Sequence, residues 1–305
     1  MTRRTIALVV LLLLATAGGG QAQDSYTLKL KDTAQGDSYL FRHNDNIKTT
    51  SKVVDDQGNS QKTVNDTRSK AFAFVESIVQ KPAGEALPTA LRRGYRKAVV
   101  TWNDRTQTLP LDGLAVLIDR KDDKYEYRLE GGGKLTPEDI AELDLDFNKR
   151  SFNFLAQDIL PDKAVKLKES WSLDPAVVFK AMTKDELQKI DLDKAKISAR
   201  LVKVYDNNKS QFGVVEFQFE LPLAVGAVVK SSGAAPSSKG FKILGGKLII
   251  QGTFDGCIDG SLFARSTKAT MNYELRGSNE DNLMTVLMAL TASGTLEQSW
   301  EDMKK

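Results

Sequence analysis

The alternation of apolar and polar residues between Phe241 and Trp300 constrains this chain more than any other feature. A period of two over such lengths belongs to half-buried strands, and each strand's apolar face has to agree with its neighbour's. Asp259-Gly260 suits the two central positions of a type I′ turn. With that turn, Gly256 stands opposite Phe263, Phe254 opposite Arg265, Ile250 opposite Ala269 and Leu248 opposite Met271. Even positions of the first strand then share an apolar face with odd positions of the second, and only Phe254 against Arg265 fits poorly. The polar run Gly277–Asn282 predicts the next loop. It sets Leu275 against Met284, Tyr273 against Val286, Met271 against Met288 and Ala269 against Leu290. Leu and Met favour helix, yet NLMTVLMAL alternates in step with its neighbour, so strand is the better reading.

The same period recurs upstream. Asp37–Val54 and Gln61–Gln80 flank Asp56-Gln57-Gly58-Asn59 and predict a long, partly polar hairpin. Further strands are expected at Tyr95–Trp102, Leu114–Ile118, Lys124–Glu130, Ile197–Tyr205 and Phe212–Leu221, the last two joined at Asp206-Asn207-Asn208. Helices are few. Thr136-Pro137-Glu138-Asp139 combines an N-cap threonine, a first-turn proline and first-turn acids, and the helix should run to about Phe147. A second helical stretch is expected before Pro161. Another opens at Asp174-Pro175 and runs through Met182, and Thr183-Lys184-Asp185-Glu186 caps a last turn. The fold class is α+β, mainly β: a large curved antiparallel sheet of long hairpins with a few helices packed on one face.

Residues 1–22 read as a signal peptide. Thr2-Arg3-Arg4 is a short basic start, Ile6–Ala17 an apolar run, and Gly20 and Ala22 are the small residues before a cut. The run is short for a membrane span, which needs about 20 residues. The expected organisation is one mainly antiparallel β domain over 23–300, with a helical insert at about 136–190 and a mobile loop at 231–239 (SGAAPSSK lies within it), followed by a tail at 301–305. The expected location is the periplasm or the extracellular space, with no integral membrane segment after cleavage. Removing residues 1–22 takes away two arginines and no acid, so the net charge falls from +3 to +1. That balance offers no footprint for nucleic acid. One cysteine permits no intrachain disulfide.

Specific chemistries find little support. Cys257 falls beside the expected turn, on the face away from the apolar one, and reads as a small turn residue. A nucleophilic cysteine or serine would have to use His43, the single histidine, which reads as standing on a solvated strand face. Asp144-x-Asp146-x-Asn148 begins like a calcium loop, but Lys149 and Leu155 stand where Gly and Glu are needed, so it reads as helix surface. No catalytic, cofactor-binding or metal-binding residue is assigned, and no cofactor is expected. The remaining candidate is the apolar face itself, Leu248, Ile250, Met271, Tyr273, Val286, Met288 and Leu290. It could be covered by helices near Ile140 and Val177 or open as a pocket for an apolar ligand.

ILPDKAVKLKESWSL (Ile159–Leu173) and YTLKLKDTAQGDSYLF (Tyr26–Phe41) together resemble a domain-of-unknown-function family of exported bacterial proteins. Leu160, Pro161, Lys163, Val165, Lys166, Glu169, Ser170 and Trp171 match its pattern, and Lys168 stands where the pattern has Gly. The resemblance implies export and no activity. The architecture is also distantly similar to the periplasmic lipoprotein-carrier fold. Three functions stay open. The first is a non-enzymatic envelope protein that binds a ligand or a partner protein. The others are a carrier of an apolar ligand such as a lipid, and a hydrolase built on carboxylates.

Overall fold

The computed structural model describes residues 24–303 except 55–59, 86, 123, 149–158, 180–188, 230–240 and 282–283. The expected signal peptide, the loop at 231–239, the helical stretches before Pro161 and at 183–186, and the turn at 56–59 lie wholly or largely outside the described residues.

The large sheet is laid down from its middle outward. Strands β2 (Ser38–Val54), β3 (Ser60–Gln80), β4 (Ala90–Trp102), β6 (Ala115–Lys121) and β7 (Lys124–Leu129) step outward to one edge, with the short β5 (Arg105–Thr108) beside β4. Helix α1 (Pro137–Phe147) follows, and then β8 (Val165–Lys166), which pairs with β1 (Ser25–Tyr26) as a separate ribbon. The far edge opens at β9 (Ser170–Leu173), followed by the one-turn helix α2 (Pro175–Val178). From there β10 (Lys196–Asn207), β11 (Ser210–Pro222), β13 (Phe241–Cys257), β14 (Arg265–Asp281) and β15 (Met284–Asp302) step back inward, with β12 (Val228–Val229) on β13. β15 then pairs with β2 from Leu287–Val54 to Asp302–Tyr39. Two meanders, one running out and one running in, thus meet to make a 13-stranded antiparallel sheet. The expected α+β, mainly β class is the one observed. The last strand extends to Asp302, two residues into the expected tail.

Several local signals act as expected. Thr136 Oγ1 accepts the N–H of Asp139 at 3.1 Å and Asp139 Oδ2 accepts the N–H of Thr136 at 3.0 Å, a reciprocal cap that starts α1 at Pro137. Asp174 Oδ1 accepts the N–H of Ala176 and opens α2. The β10–β11 hairpin forms, but its turn falls later than the expected Asp206-Asn207-Asn208: Asp206 and Asn207 stay in the ladder, and Asn208 and Lys209 at φ +50° and +70° carry the primed geometry that a two-residue hairpin favours.

Lys168 is the informative departure. Glu169 N–H donates to Lys166 C=O at 3.0 Å and closes a four-residue turn whose third residue, Lys168, sits at φ +68°. That region favours glycine, because a Cβ there crowds the following carbonyl. Lys168→Gly is therefore expected to raise the unfolding free energy by about 0.5 kcal/mol, once the greater freedom of glycine in the unfolded chain is set against the relieved strain. Lys168→Val is expected to lower it. Urea unfolding of both variants checks the order, and a destabilised Lys168→Gly overturns it.

Both hairpins of the C-terminal meander keep the expected parity but not the expected register. The Asp259-Gly260 two-residue turn does not form. Gly256 pairs with Arg265 and Phe254 with Thr267, a shift of two residues that also removes the poor pairing of Phe254 with Arg265. The reason lies in side chains that a two-residue turn would expose: Ile258 is fully buried, Phe263 is buried, and Ile258 C=O accepts the N–H of Lys29 at 2.7 Å. The second loop was placed too early. β14 continues through Asp281, so Leu275 meets Leu290, Tyr273 meets Ala292 and Met271 meets Gly294. Met288 stands opposite Gly277 and Val286 opposite Asn279, so the expected Met271–Met288 facing pair does not exist. The polar Gly277–Asp281 run extends a hairpin arm instead of ending it.

Candidate functional site

Pleating gives the sheet one continuous inward face. Along β2 it takes the odd residues from Tyr39 to Val53, and along β3 the even residues from Arg68 to Ile78. Three apolar clusters pack on the sheet, the smallest of them Leu223, Ile243 and Leu275 with Tyr273 and Leu290 against it. On the outgoing meander, Phe74, Ile78, Leu91, Tyr95, Val116 and Ile118 pack with Leu111 and with Leu143 of α1. On the returning meander, Leu201, Val215, Phe217, Phe219, Leu248, Ile250 and Phe254 pack under Leu28, Ile159, Leu160, Val165, Val178, Phe179 and Ile190. Much of this second cover comes from irregular segments, a correction to the expected helical cover. Ile140 and Val177, the expected contacts, are both exposed, because each helix turns its neighbouring Leu143 or Val178 inward.

The candidate ligand face therefore divides. Leu248 and Ile250 are buried core residues. Met271, Tyr273 and Leu290 are half-buried. The side chains of Val286 and Met288 lie outside the described residues. Between these clusters β15 presents Ala292 and Gly294, with Tyr273 and Met271 on the β14 side and Thr49 and Ile47 on the β2 side. All four flanking side chains are half-buried. The small Ala292 between Tyr273 and Thr49 leaves the face low in a short trough, closed toward Gly294 by Ile47, whose Cγ1 would lie 3.1 Å from a Cβ there, and capped along β15 by Leu290. Two other grooves, of about 400 and 510 Å³, lie on the opposite face around polar Ser198, Gln218, Gln251 and Thr270.

Toward the other end of the strands the same face turns polar. Arg93 on β4 is buried and donates from Nε and NH2 to Glu76 Oε2 on β3 at 2.9 and 2.7 Å. Its NH1 donates to Asp146 of α1 at 2.6 Å, and the guanidinium lies over Phe74 and Phe147. Burial disfavours the charge, but Glu76, Tyr95 and Asp146 outweigh it and hold Arg93 well above its ordinary value. Tyr39 on β2 donates its hydroxyl to the second oxygen of Glu76, and burial together with that carboxylate pushes the phenol well up. Asp144 and Asp146, expected as solvated helix surface, anchor α1: Asp144 accepts from Tyr127 Oη at 3.0 Å.

His43 is also on this face, half-buried, and not on a solvated one. Gln298 Nε2 lies 3.1 Å from its Nδ1, and Asp45 Oδ2 lies 3.2 Å from its Nε2. Burial pushes the Asp45 carboxyl up, but His43 and the N–H of Lys70 outweigh it and hold it below its ordinary value. Lys70 continues the row to Glu142 at 2.8 Å. These groups are held in a chain of structural hydrogen bonds, and sequence reasoning missed it. A charged residue standing at an apolar parity, as Glu76 does between Phe74 and Ile78, was the available signal.

Cys257 lies on the odd side of β13, as expected, yet it is buried at 1% exposure. Its thiol donates to Asp259 Oδ1 at 3.0 Å. An anionic neighbour is the opposite of what activates a thiol. Asp259 also accepts the N–H groups of Gln211 at 2.7 Å and Ser261 at 2.9 Å, which explains its place at the loop. The Cys257 thiol, Ser261 and the Gln211 amide hold its carboxyl well below the usual carboxylate range. A depressed carboxyl adds stability that is present above its unfolded value of about 3.9 and is lost as pH falls through the folded value. Asp259→Asn is thus expected to be less stable than wild type at pH 7, with the gap narrowing below pH ~4. Thermal unfolding at pH 7 and pH 3 tests this, and a gap that widens in acid refutes the assignment.

Among the described residues no group of three or more His, Cys, Asp or Glu could hold a metal ion, and no helix is long and apolar enough to cross a membrane. No protein-family model matches the chain, and the search of curated proteins returns no match. Among solved structures the chain is similar to OpdQ of Pseudomonas aeruginosa at 8% identity and a TM-score of 0.21, over 88% of this chain and 98% of that one. Similarity at that level carries no argument.

Proposed function

We propose that the chain is an exported, non-enzymatic binding protein of the cell envelope, and that it holds an apolar ligand in the trough floored by Ala292. What carries this reading is the short low stretch at Ala292, beside half-buried Met271, Tyr273 and Leu290, whose other sides pack on the neighbouring clusters. Elsewhere on the face large side chains interdigitate, as protein interiors normally do. Here Met271, Tyr273, Ile47 and Leu290 flank small residues, and methionine and tyrosine suit an adaptable apolar lining. The non-enzymatic part rests on the acids and the histidine of the face being held by structural partners, Glu76 by Arg93 and Tyr39, and His43 between Gln298 and Asp45.

Binding of neutral dodecanol, followed by calorimetry, tests the trough. Ala292→Leu raises its floor and is expected to weaken binding at least tenfold with little change in the unfolding midpoint. Absence of dodecanol binding, or equal binding by the variant, sinks the reading. Export is tested separately by intact mass: the exported protein should begin at Gln23, and retention of residues 1–22 removes that part.

A further inference from the structure

The face of the sheet opposite the trough carries a row of side chains that only the strand pairing brings together. Ser172, Ser198, Gln218, Gln251 and Thr270 stand directly opposite one another along β9, β10, β11, β13 and β14. The row runs on through Thr295, Asn46, Ser69, Thr101 and Thr106 on β15, β2, β3, β4 and β5. Ten adjacent strands thus present hydroxyl or amide side chains in line, and none of these is charged. All are exposed except Ser69 and Thr101, which are half-buried. Solvated faces ordinarily place a charge at about a quarter to a third of their positions. Here the charges beside the row pair off: Arg200 with Glu216 at 2.6 Å, Lys268 with Glu297 at 3.4 Å, and Lys196 standing opposite Glu220. At the β9 end the surface is concave. Ser172, Ser198 and Gln218 line the groove of about 400 Å³, and Ser198, Gln218, Gln251 and Thr270 line the groove of about 510 Å³.

We propose that this row binds a neutral, extended oligosaccharide laid across the strands, with the two grooves as its deepest part. The site lies on the other face from the trough and stands or falls without it. Serine and threonine hydroxyls donate and accept, as do the amides of asparagine and glutamine, and sugar hydroxyls do the same. A neutral chain is the complement of this row, because an ionic ligand would be desolvated against it with no counter-ion in the row to meet it. Neighbouring strands lie about 4.8 Å apart, close to the repeat of an extended chain of sugar rings, so successive rings can meet successive strands. The grooved end, from Ser172 to Thr270, covers about 19 Å at that spacing. No aromatic side chain stands in the row to stack on a ring face. Each sugar is therefore held by hydrogen bonds of modest net worth, and affinity has to build with chain length.

The test titrates the protein with cellohexaose and chitohexaose, which are neutral and extended, with the disaccharide of each, and with maltohexaose, which is neutral and coils. At least one of the two extended hexasaccharides is expected to bind at least tenfold more tightly than its disaccharide and than maltohexaose. Gln251→Glu puts a charge into the grooved end at an exposed position and should weaken that binding at least tenfold. Thr291→Lys, on the same face but two rows away, should leave it unchanged. No binding of either extended hexasaccharide overturns the proposal, and so does equal binding by Gln251→Glu and wild type. Should Gln251→Glu fail to fold, wild type decides alone: a hexasaccharide bound no more tightly than its disaccharide overturns the row. A wild-type dimer that Gln251→Glu splits, read by light scattering, gives the face to a second copy of the chain and overturns the glycan.

Discussion

Arg93→Ala is expected to destabilise the protein by about 3–5 kcal/mol, the loss found when one partner of a buried ion pair is removed and the other is left uncompensated. Glu76 is as buried as Arg93, at 5% exposure each, and would keep only the Tyr39 hydroxyl as a partner. The same substitution strips the guanidinium from between Phe74 and Phe147 and releases Asp146, so β3, β4 and α1 all lose a contact. The melting temperature should fall by on the order of 10 °C. Asp146→Asn isolates the outer contact. Asp146 is exposed at 41%, and exposed pairs contribute about 1 kcal/mol or less. Thermal unfolding of both variants separates the two layers. If Arg93→Ala loses less than about 1 kcal/mol, the pair is not the anchor described.

What the sequence disclosed, and what it hid, follows from the range over which each interaction acts. Local signals were legible: the Thr136 cap, the Asp174 cap, and the inward parity of β13, β14 and β15 depend on residues a few positions apart. Parity survives a shift of two or six residues, which explains why the apolar face came out right while the pairs on it came out wrong. Register depended on features that no local pattern shows. Ile258 had to enter a core built from β10 and β11, and Asp259 had to cap the N–H of Gln211, 48 residues away. The order of the strands was hidden for the same reason: β2 and β15 pair across the whole length of the chain, and β2 carries polar residues such as His43, Asp45, Thr49 and Ser51 on its inward side. An alternating pattern cannot announce a face that is half polar. Arg265 was visible as a misfit opposite Phe254. The misfit was real as to face, since Arg265 does stand on the apolar side, and mistaken as to partner.

Gly252→Val is expected to cost about 3 kcal/mol or more, at the upper end of what overpacking does, because the space for a side chain is already taken. A Cβ at Gly252 would lie 2.3 Å from the backbone oxygen of Lys268 and 2.9 Å from the Cα of Ala269, both on β14. It would also lie 2.7 Å from Cζ of Phe217, whose ring covers the glycine from β11. Swinging the ring away costs its core packing, and a neighbouring strand's backbone cannot move without disturbing the ladder from Gly252–Ala269 outward. Glycine here is a matter of close approach, and an aromatic ring covers both strand glycines, Phe217 at Gly252 and Phe254 at Gly256. Gly245, on the same strand, is the control: a Cβ there meets nothing within 4 Å, and its backbone lies outside the left-handed region. Gly245→Ala should therefore stay within about 0.5 kcal/mol of wild type, or gain slightly by restricting the unfolded chain. Urea unfolding of the two variants reads the difference directly. Similar midpoints would mean that β13 and β14 are not paired in this register, and the trough beside them would have to be redrawn as well.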